Sequence, residues 1–544
     1  MSRNSLELMG NPEESFHWVP GEMVVVIRLP RRPSDDLQDT LVEQVRNQLN
    51  IILAPYNFVL EPYGTNGRWG NRTDMPPIQR HMFLFGSHQQ QPLASIFFHA
   101  ISTDSTIPDP VPMAISYLQG HLEQLAQAGL FLISAMPNWL VTAAPTFYVD
   151  GGPALPPRPA PSVDLPTAGN APLGWHISFV DQSLALDPDN AQDVLVAVLD
   201  TAQHPDTLRS AAIRPELRRN WLLQRLAANL RSQNGSFEIE YDRYPIASQV
   251  CTGCDSNGDP VFYPMPDHGI FVAGLIRDIA PQAHIRLIRI LNDFGGSDLY
   301  NLFAALTDLE QELVSGTIRR LVINLSLTIM PDLRRLPYIW FADRDWPSRQ
   351  LAGAMRALAH IEEGLHLLFE SLHAQGALIV AAAGNDSLLA TQQSQRPRPP
   401  RAPARYESTL GVTSVNSRFE PSRFANAANI PPLERGVATF GGDIHGVTDT
   451  QDFPDAVRGI YISPTFPDGE QNLSGWADWC GSSFATSIIT ALAAHLLAQG
   501  RSPSSTMHRI IAGPGRATDK LFGTQPDAPS LLANIIKVQQ HFGM

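Results

Sequence analysis

The chain contains 544 residues, of which 43% are hydrophobic and 17% are charged, and its formal net charge is −14. This length allows two to four domains of roughly 100–200 residues, or one large enzyme domain with additions. The apolar fraction excludes a disordered chain. The negative charge, without any basic run, excludes nucleic acid and an anionic membrane surface as expected partners.

No stretch reaches the roughly 20 apolar residues that a membrane span requires, and residues 1–16 lack the apolar core of a signal peptide. The three cysteines form an odd set in a long chain, which indicates a reducing compartment rather than a disulfide framework. We therefore expect a cytoplasmic protein.

The first 145 residues predict a separate N-terminal α+β domain. Residues 21–28 are typical of a strand, and residues 34–52 predict an amphipathic helix with one apolar face, formed by Leu37, Leu41, Val45 and Leu49. Three further strands are predicted at 81–85, 94–101 and 130–134, and one further helix at 111–128. Residues 146–172 are rich in Pro and Gly and predict an extended linker without regular elements.

Residues 173–544 predict one large α/β domain. Apolar runs suit parallel strands buried on both faces, and they lie at 194–199, 321–325, 377–382 and, interrupted by two arginines, 285–291. Helical patterns separate them, at 269–278, 297–314, 350–375 and 483–499. Strands alternating with helices predict a three-layer α/β fold around a parallel sheet.

Four polar residues stand at the ends of these strands or at the starts of the helices. Asp200 ends the first strand, His268 begins a helix, Asn385 follows a later strand, and Ser483 begins the last long helix. Each residue alone is more often a turn residue, a core histidine or a helix cap. Together they follow the order Asp, His, Ser of one serine-hydrolase arrangement, with an amide that can donate to an oxyanion.

Five segments around these residues resemble the motifs of the subtilisin-like serine proteases, the subtilases. AVLDTA resembles the family's VAVxDTG, HGIFVAG its HGTHVAG, LVINLSL its VINMSLG, IVAAAGND its VVAAAGNE, and GSSFAT its GTSMAS. The five segments occur in the family's order across residues 175–515. The chain therefore resembles a serine endopeptidase of this family.

The resemblance implies a role for each matching residue. Ser483 would be the nucleophile, His268 the general base, Asp200 the group that orients the imidazole, and Asn385 part of the oxyanion hole together with the Ser483 N–H. By the same resemblance, seven residues would line the substrate cleft: Ser326, Leu327, Thr328, Ala381, Ala382, Ala383 and Gly384. The chain departs from the family motifs at five positions, none of which is a reacting group: Ala202, Ile270, Phe271, Thr328 and Ser487.

Two insertions are predicted in the catalytic region, near 205–250 and 329–350. The first contains a helical pattern at 215–233. The second is rich in aromatic residues; it is either surface decoration or a lid or partner surface beside the cleft.

No cofactor is expected in the reaction. Cys251 and Cys254 have the spacing of a zinc pair but lack a second pair, so they predict no metal site. Asp255, Asn257 and Asp259 have the alternating spacing of oxygen ligands in a calcium loop, but the final glutamate of such a loop is missing. The only metal that the sequence suggests is therefore a structural Ca²⁺.

The N-terminal domain has the βα order of a subtilase pro-domain, and the resemblance implies a zymogen in which this domain inhibits Ser483 until the linker is cut. The alternative is an unrelated adaptor that recruits a partner. Two alternatives remain for the whole chain. It could be a protease that a partner or signal activates and that acts on one specific protein, or a non-catalytic binding protein with the subtilase fold. The expected partners are a protein or peptide substrate and a regulatory protein at the N-terminal domain or the insertions.

Overall fold

The structure is a computed structural model of the full chain. It describes the following residues: 18–63, 80–86, 92–143, 155–160, 176–178, 193–231, 235–244, 263–329, 336, 340, 358–387, 397–416, 421–428, 436–443, 456–512 and 537–539. The cysteine pair at 251 and 254, the calcium-like loop at 255–259 and most of the second insertion lie outside these residues.

A seven-stranded sheet with all strands parallel forms the centre of the molecule. Its apolar strands pack on both faces, and almost every residue of the inner strands is buried. From one edge to the other the strands are Val437–Phe440, Thr409–Val415, Ala377–Ala382, Leu321–Leu325, Leu195–Asp200, His284–Arg289 and Phe237–Glu240. The predicted three-layer α/β class is confirmed.

Helices cover this sheet. The helices predicted at 269–278, 297–314 and 483–499 lie within two residues of the observed bounds, whereas the described part of the one predicted at 350–375 is a 3₁₀ turn followed by helix Glu363–Ala374. Helix Ser482–Ala498 packs on five strands of the sheet and against helix His268–Ile279. Helices Leu299–Val314 and Glu363–Ala374 pack against each other and against the N-terminal part of the chain. Among the described residues between 193 and 512, the other helices are Pro205–Ile213, Trp221–Arg231, the 3₁₀ turn Ala359–Glu362 and Pro503–Ala512.

A second sheet, antiparallel and also seven-stranded, is built mainly by residues 18–142. Its five N-terminal strands are Trp18–Arg28, Phe58–Pro62, Met82–Phe85, Leu93–Ser102 and Phe131–Thr142. The helical elements beside it are Asp35–Leu37, Gln38–Leu53, Ala54–Tyr56, Val111–Gly120 and Leu122–Gln127. The other two strands, Gly296–Asp298 and Thr328–Ile329, come from the catalytic region and both pair with Phe131–Thr142.

Two local predictions for this part were wrong. Leu37 does not belong to the buried face of the first helix, because it ends a 3₁₀ turn before the helix begins at Gln38 and its side chain is 47% exposed. The single helix predicted at 111–128 is divided at His121, whose backbone N–H bonds the carbonyl of Leu118 instead of continuing the helical pattern.

The segment 146–172 is not free of regular structure throughout. Arg158–Pro159 pairs with Ala477 and Asp478 in a small antiparallel sheet whose other strands are Val457–Ile460 and Trp476–Trp479. Proline is compatible with this position because the segment lies at the edge of the sheet, where no donor is needed on the outer side. The prediction of an unpacked linker is therefore wrong for residues 155–160.

Among the helices that the structure describes, none combines the length and the apolar character needed to cross a membrane. A short antiparallel pair, His176–Ser178 with Lys537–Gln539, completes the described elements.

Candidate active site

Asp200 and His268 meet at the carboxyl end of the central sheet. His268 Nδ1 lies 2.7 Å from Asp200 Oδ1, and both side chains are fully buried. Because a carboxylate can only accept, Nδ1 carries the proton, and Nε2 of a neutral ring keeps its lone pair. Asp200 Oδ1 also accepts from the backbone N–H of Thr201 at 2.7 Å. These two bonds fix the carboxylate and hold the imidazole in the tautomer that a general base requires.

Contacts around the first turn of the histidine helix hold it against the strand that carries Asp200. Gly269 is required there, because a Cβ at this position would lie 2.0 Å from the Thr201 carbonyl oxygen. The Gly269 N–H donates to Thr201 Oγ1 at 3.0 Å. The buried carboxylate of Asp267 accepts from the backbone N–H groups of Ser463 at 2.8 Å and of Ile462 at 3.3 Å.

An aromatic cluster packs beside the imidazole. The rings of Trp479 and Phe484 lie 5.5 and 5.7 Å from the His268 ring, measured between centroids. Phe271, one of the departures from the family motif, packs on both of these rings. Trp479 Nε1 also donates to the Leu155 carbonyl at 2.7 Å, so the segment before Ala160 is joined to the wall of the site.

Ser483 lies in the first turn of helix Ser482–Ala498, and its side chain is buried. Its Oγ is 3.5 Å from the Ser326 carbonyl oxygen. His268 Nε2 has no hydrogen-bond partner among the described residues. Among the described residues, the hydroxyl therefore contacts the Ser326 carbonyl and makes no hydrogen bond to His268.

A hydrogen-bonded network connects the serine helix to the neighbouring strand. Ser326 Oγ bonds the Ser483 carbonyl at 3.1 Å and Asn324 Oδ1 at 3.0 Å, and Asn324 Nδ2 bonds Thr490 Oγ1 at 2.9 Å. Ser487, another departure, bonds the same Ser483 carbonyl through its hydroxyl at 2.9 Å. The serine is thus held by the sheet and by its own helix.

Asn385 lies beside the N-terminus of the serine helix. Its Oδ1 accepts from the Ser482 backbone N–H at 3.0 Å, which orients the amide next to the backbone of Ser483. Helix N-termini favour negative charge. This arrangement has the elements of an oxyanion hole, namely a side-chain amide and a backbone N–H side by side.

The predicted cleft residues form two walls. Ser326, Leu327 and Thr328 follow one strand of the sheet, and 381–384 end the next one. Residues Arg401 and Ala402 connect the walls, because the Arg401 N–H donates to the Ala383 carbonyl and the Ala402 carbonyl accepts from the Ile329 N–H.

Beneath this connection lies a buried ion pair. Arg401 Nε bonds Asp386 Oδ2 at 3.0 Å, and the two side chains are 3% and 1% exposed. Asn426 Nδ2 donates to the same carboxylate oxygen at 2.8 Å. Gly384 passes over the pair with φ of +108°, and a Cβ there would lie 2.6 Å from Asn426 Nδ2.

The end of strand Phe131–Thr142 lies between two strands of the cleft. Residues 140–142 pair antiparallel with Gly296–Asp298 on one side, and residues 141–142 pair with Thr328–Ile329 on the other. The Ala143 N–H donates to the Gly295 carbonyl at 2.8 Å, and Thr328 Oγ1 contacts the Thr142 carbonyl at 3.4 Å. An extended segment of the chain's own N-terminal part thus lies as the central strand between Gly296–Asp298 and Thr328–Ile329.

The structure brings the four predicted reacting residues and the seven predicted cleft residues to one edge of the sheet. Sequence reasoning did not single out Thr201, Asp267, Asn324 and Trp479, which position them. Thr201 and Asp267 directly adjoin Asp200 and His268 in the sequence and were accessible as polar neighbours of reacting residues, and Asn324 lies inside a quoted motif. Trp479 carries no such signal, because His268 and Leu155 are distant from it in the chain. Within the described residues, no group of three or more His, Cys, Asp or Glu side chains could hold a metal ion.

Comparisons with known proteins agree with this geometry. Residues 191–512 match the model of the Subtilase family, peptidase S8. The chain belongs to this family, and as a member it is a serine peptidase that acts on protein or peptide substrates.

Two solved structures are similar to the chain. One is a cold adapted subtilisin-like serine proteinase, with 17% identity, coverage of 64% of this chain and 91% of that one, and a TM-score of 0.34. The other is a lanthipeptide protease, with 18% identity, coverage of 62% and 86%, and a TM-score of 0.35. A search of curated proteins found no match.

Proposed function

We propose that this chain is a serine endopeptidase in which Ser483 attacks the peptide carbonyl and the N-terminal segment restrains the cleft. The observation that carries the proposal is the buried His268–Asp200 bond of 2.7 Å beside the Ser483 helix. His268 Nε2 takes the proton of the Ser483 hydroxyl as Oγ forms its bond to the carbonyl carbon. The negative charge of Asp200 stabilises the imidazolium that results.

The negative charge that develops on the substrate carbonyl oxygen is placed next to Asn385. The Asn385 amide and the Ser483 backbone N–H donate to this oxygen, and the dipole of the serine helix favours the same charge. His268 then returns its proton to the leaving amine, and the acyl group stays on Ser483 until a water molecule, deprotonated by His268, releases it. No cofactor enters these steps.

The second part of the proposal is that residues 1–145 regulate this site. The double pairing of residues 140–142 supports it, because a substrate strand that pairs with the same cleft strands has to displace this segment first. The N-terminal unit thereby acts as a restraint, and cutting the chain between Ala143 and Leu155 would release it.

The alternative of activation by a partner keeps the same chemistry but a different trigger. It is favoured by the extent of the N-terminal contact, which includes the ion pair Arg80–Asp308 at 2.7 Å and the stacking of Tyr63 on Tyr300 at 5.2 Å as well as the cleft strand. A binding partner that covers these residues would open the cleft without any cut.

Labelling with a fluorophosphonate tests the proposal. The full chain, a chain that begins at residue 151 and a full chain with Ala143→Pro are compared, each with and without Ser483→Ala. Beginning at 151 keeps residues 155–160, of which Leu155 bonds Trp479 in the wall of the site, and Ala143→Pro removes the N–H that bonds Gly295. Ser482→Ala is the matched control, because Ser482 is the neighbouring buried serine.

We expect the shortened chain and the Ala143→Pro chain to label at least tenfold faster than the full chain. Ser483→Ala should abolish labelling in all of them, whereas Ser482→Ala should leave it. Labelling that survives Ser483→Ala, or none in any chain that contains Ser483, would overturn the catalytic part. Equal labelling of the full and opened chains would overturn the regulatory part. Mass spectrometry of the full chain after incubation reports whether the segment between 143 and 155 is cut.

A further inference from the structure

Two buried carboxyl groups face each other across the contact between the N-terminal segment and the catalytic region. Glu22 lies on strand Trp18–Arg28, and Asp298 ends the cleft strand Gly296–Asp298. Glu22 is 7% exposed and Asp298 1% exposed. Among the ion pairs of the described residues, none joins either carboxyl group to an arginine or a lysine. A contact that brings two acids together without an arginine or a lysine between them depends on their protonation.

Asn138 connects the two groups. Its Nδ2 donates to Glu22 Oε2 at 2.8 Å, and its Oδ1 accepts from the Leu299 N–H at 3.0 Å, at the start of helix Leu299–Val314. Asp298 caps the same helix, since its Oδ1 accepts from the Asn301 N–H at 3.3 Å. The contact is therefore built on one helix N-terminus, one amide and two carboxyl groups.

Other titratable groups lie beside Glu22 on the neighbouring elements. Tyr63 OH donates to Glu22 Oε2 at 2.9 Å, and the Tyr63 ring stacks on Tyr300 of the catalytic region and on His99. His99 Nδ1 lies 4.0 Å from Glu22 Oε1.

The pKa values of both carboxyl groups are raised in this contact. Burial, and next the charge of Asp298, raise the pKa of Glu22 to about 8. Burial raises the pKa of Asp298 to about 6, although hydrogen bonds from Asn301 and Asn138 lower it in part. In water such groups have pKa values near 4, so both take up protons more readily in the docked form.

We propose that Glu22 and Asp298 form a latch that holds the N-terminal segment on the catalytic region while the two carboxyl groups are protonated and releases it when they ionise. The inference rests on the proposed function in so far as the released cleft is the site of Ser483. When the segment leaves, water reaches both carboxylates and the penalty for their charge is removed.

The direction follows from linkage. A group whose pKa is raised in the docked form stabilises docking fully below its free value, and this stabilisation is lost as the pH rises through the docked value. For Asp298 the loss extends from about pH 4 to 6, and for Glu22 it extends to about pH 8. Between pH 6 and 8 the ionisation of Glu22 alone drives release. Because one proton is lost, the equilibrium constant for release rises by up to about tenfold per pH unit.

Hydrogen exchange on the full chain measures this opening without any need for catalysis. All chains carry Ser483→Ala, and the exchange of amides in strand Phe131–Thr142 is followed from pH 5 to 9 and corrected for intrinsic exchange. Three chains are compared: the parent, Glu22→Gln and Glu43→Gln. Glu43 is the matched control, because it is a half-exposed glutamate on the first helix with an ion pair to Arg46.

We expect the population of the open form in the parent and in Glu43→Gln to rise by about 30–100-fold between pH 6 and 8, which is one proton over two pH units. In Glu22→Gln the rise should be less than about threefold, because glutamine does not ionise. Asp298→Asn, which keeps the helix cap, should reduce the rise below pH 6 and serves as a second variant if Glu22→Gln does not fold.

Equal rises in the parent and in Glu22→Gln, or no rise in the parent, would overturn the latch. Fluorophosphonate labelling of the same chains with Ser483 intact separates this result from the proposed function. pH-dependent opening without labelling would leave the latch in place and refute the catalytic role of Ser483. Labelling that has the same pH profile in the parent and in Glu22→Gln would refute the latch alone.

Discussion

Replacement of Asp200 by Asn tests the central contact of the site with little change in shape. Asp200 Oδ1 accepts both from His268 Nδ1 and from the Thr201 N–H, while Oδ2 has no hydrogen-bond partner among the described residues. An amide oxygen can therefore keep both bonds, with its NH₂ group in the place of Oδ2. What the substitution removes is the negative charge next to the imidazolium that forms during the reaction.

The distance between Asp200 and His268 sets the size of the rate loss in Asp200→Asn. A hydrogen bond of 2.7 Å places the two charges about 4 Å apart, and at an effective dielectric constant of about 20 they attract by about 4 kcal/mol. At 1.36 kcal/mol for each factor of ten, this corresponds to about a 10³-fold lower rate. If the amide is flipped, its NH₂ group faces Nδ1, the imidazole takes the wrong tautomer, and the loss approaches about 10⁴-fold.

The assay is the rate of peptide hydrolysis and of fluorophosphonate labelling by the chain that begins at residue 151, with the urea midpoint as a measure of folding. Asp267→Asn is the control, since Asp267 is equally buried and precedes His268 but binds the backbone of Ile462 and Ser463. We expect Asp267→Asn to lose less than about tenfold, because an amide oxygen can keep these bonds and no charge faces the reacting ring. A loss below tenfold in Asp200→Asn, or similar losses in both variants, would refute the assigned role of Asp200.

Three other substitutions follow from the same structure. Asn385→Ala should lower kcat by about 10²–10³-fold, a figure measured for this donor in a subtilisin, and should change KM much less. Steady-state kinetics in which the loss appears mainly as a higher KM would contradict this role. Gly269→Ala should destabilise the fold by about 1–3 kcal/mol in urea, because its Cβ meets the Thr201 carbonyl, whereas Gly120→Ala, with no atom within 4 Å, should not. Arg401→Met should cost about 3–5 kcal/mol in the same assay by leaving the Asp386 charge buried; a change below 1 kcal/mol would mean that Asp386 is neutral or solvated.

Much of the catalytic region could be predicted because its signals are local. The strands Leu195–Asp200, Leu321–Leu325 and Ala377–Ala382 are mostly apolar runs, and the last two have the predicted bounds. The reacting residues stand where those runs end, and parallel strands bring their carboxyl ends to one edge of the sheet. The order of the residues along the chain was therefore enough to predict that Asp200, His268 and Ser483 approach one another.

The errors arise where tertiary contacts override a local pattern. Leu37 continues the apolar spacing of the first helix, yet the chain turns before Gln38 and leaves its side chain in water. Residues 155–160 have the composition of a linker, but Trp479 and Tyr263 donate to the Leu155 carbonyl and an edge of a sheet accepts Arg158–Pro159. Composition does not contain these partners, which lie more than a hundred residues away.

The sequence by itself determined the α/β class, the family resemblance and the set of candidate reacting residues, because each depends on short motifs in a fixed order. Only the tertiary structure decided which segment pairs with the predicted cleft residue Thr328 and how it is held there. The pairing of residues 140–142 with two distant strands, and the approach of Glu22 to Asp298, join segments that share no local pattern. Such contacts are set by the packing of one sheet against another part of the chain, and the response to pH that we propose depends on them alone.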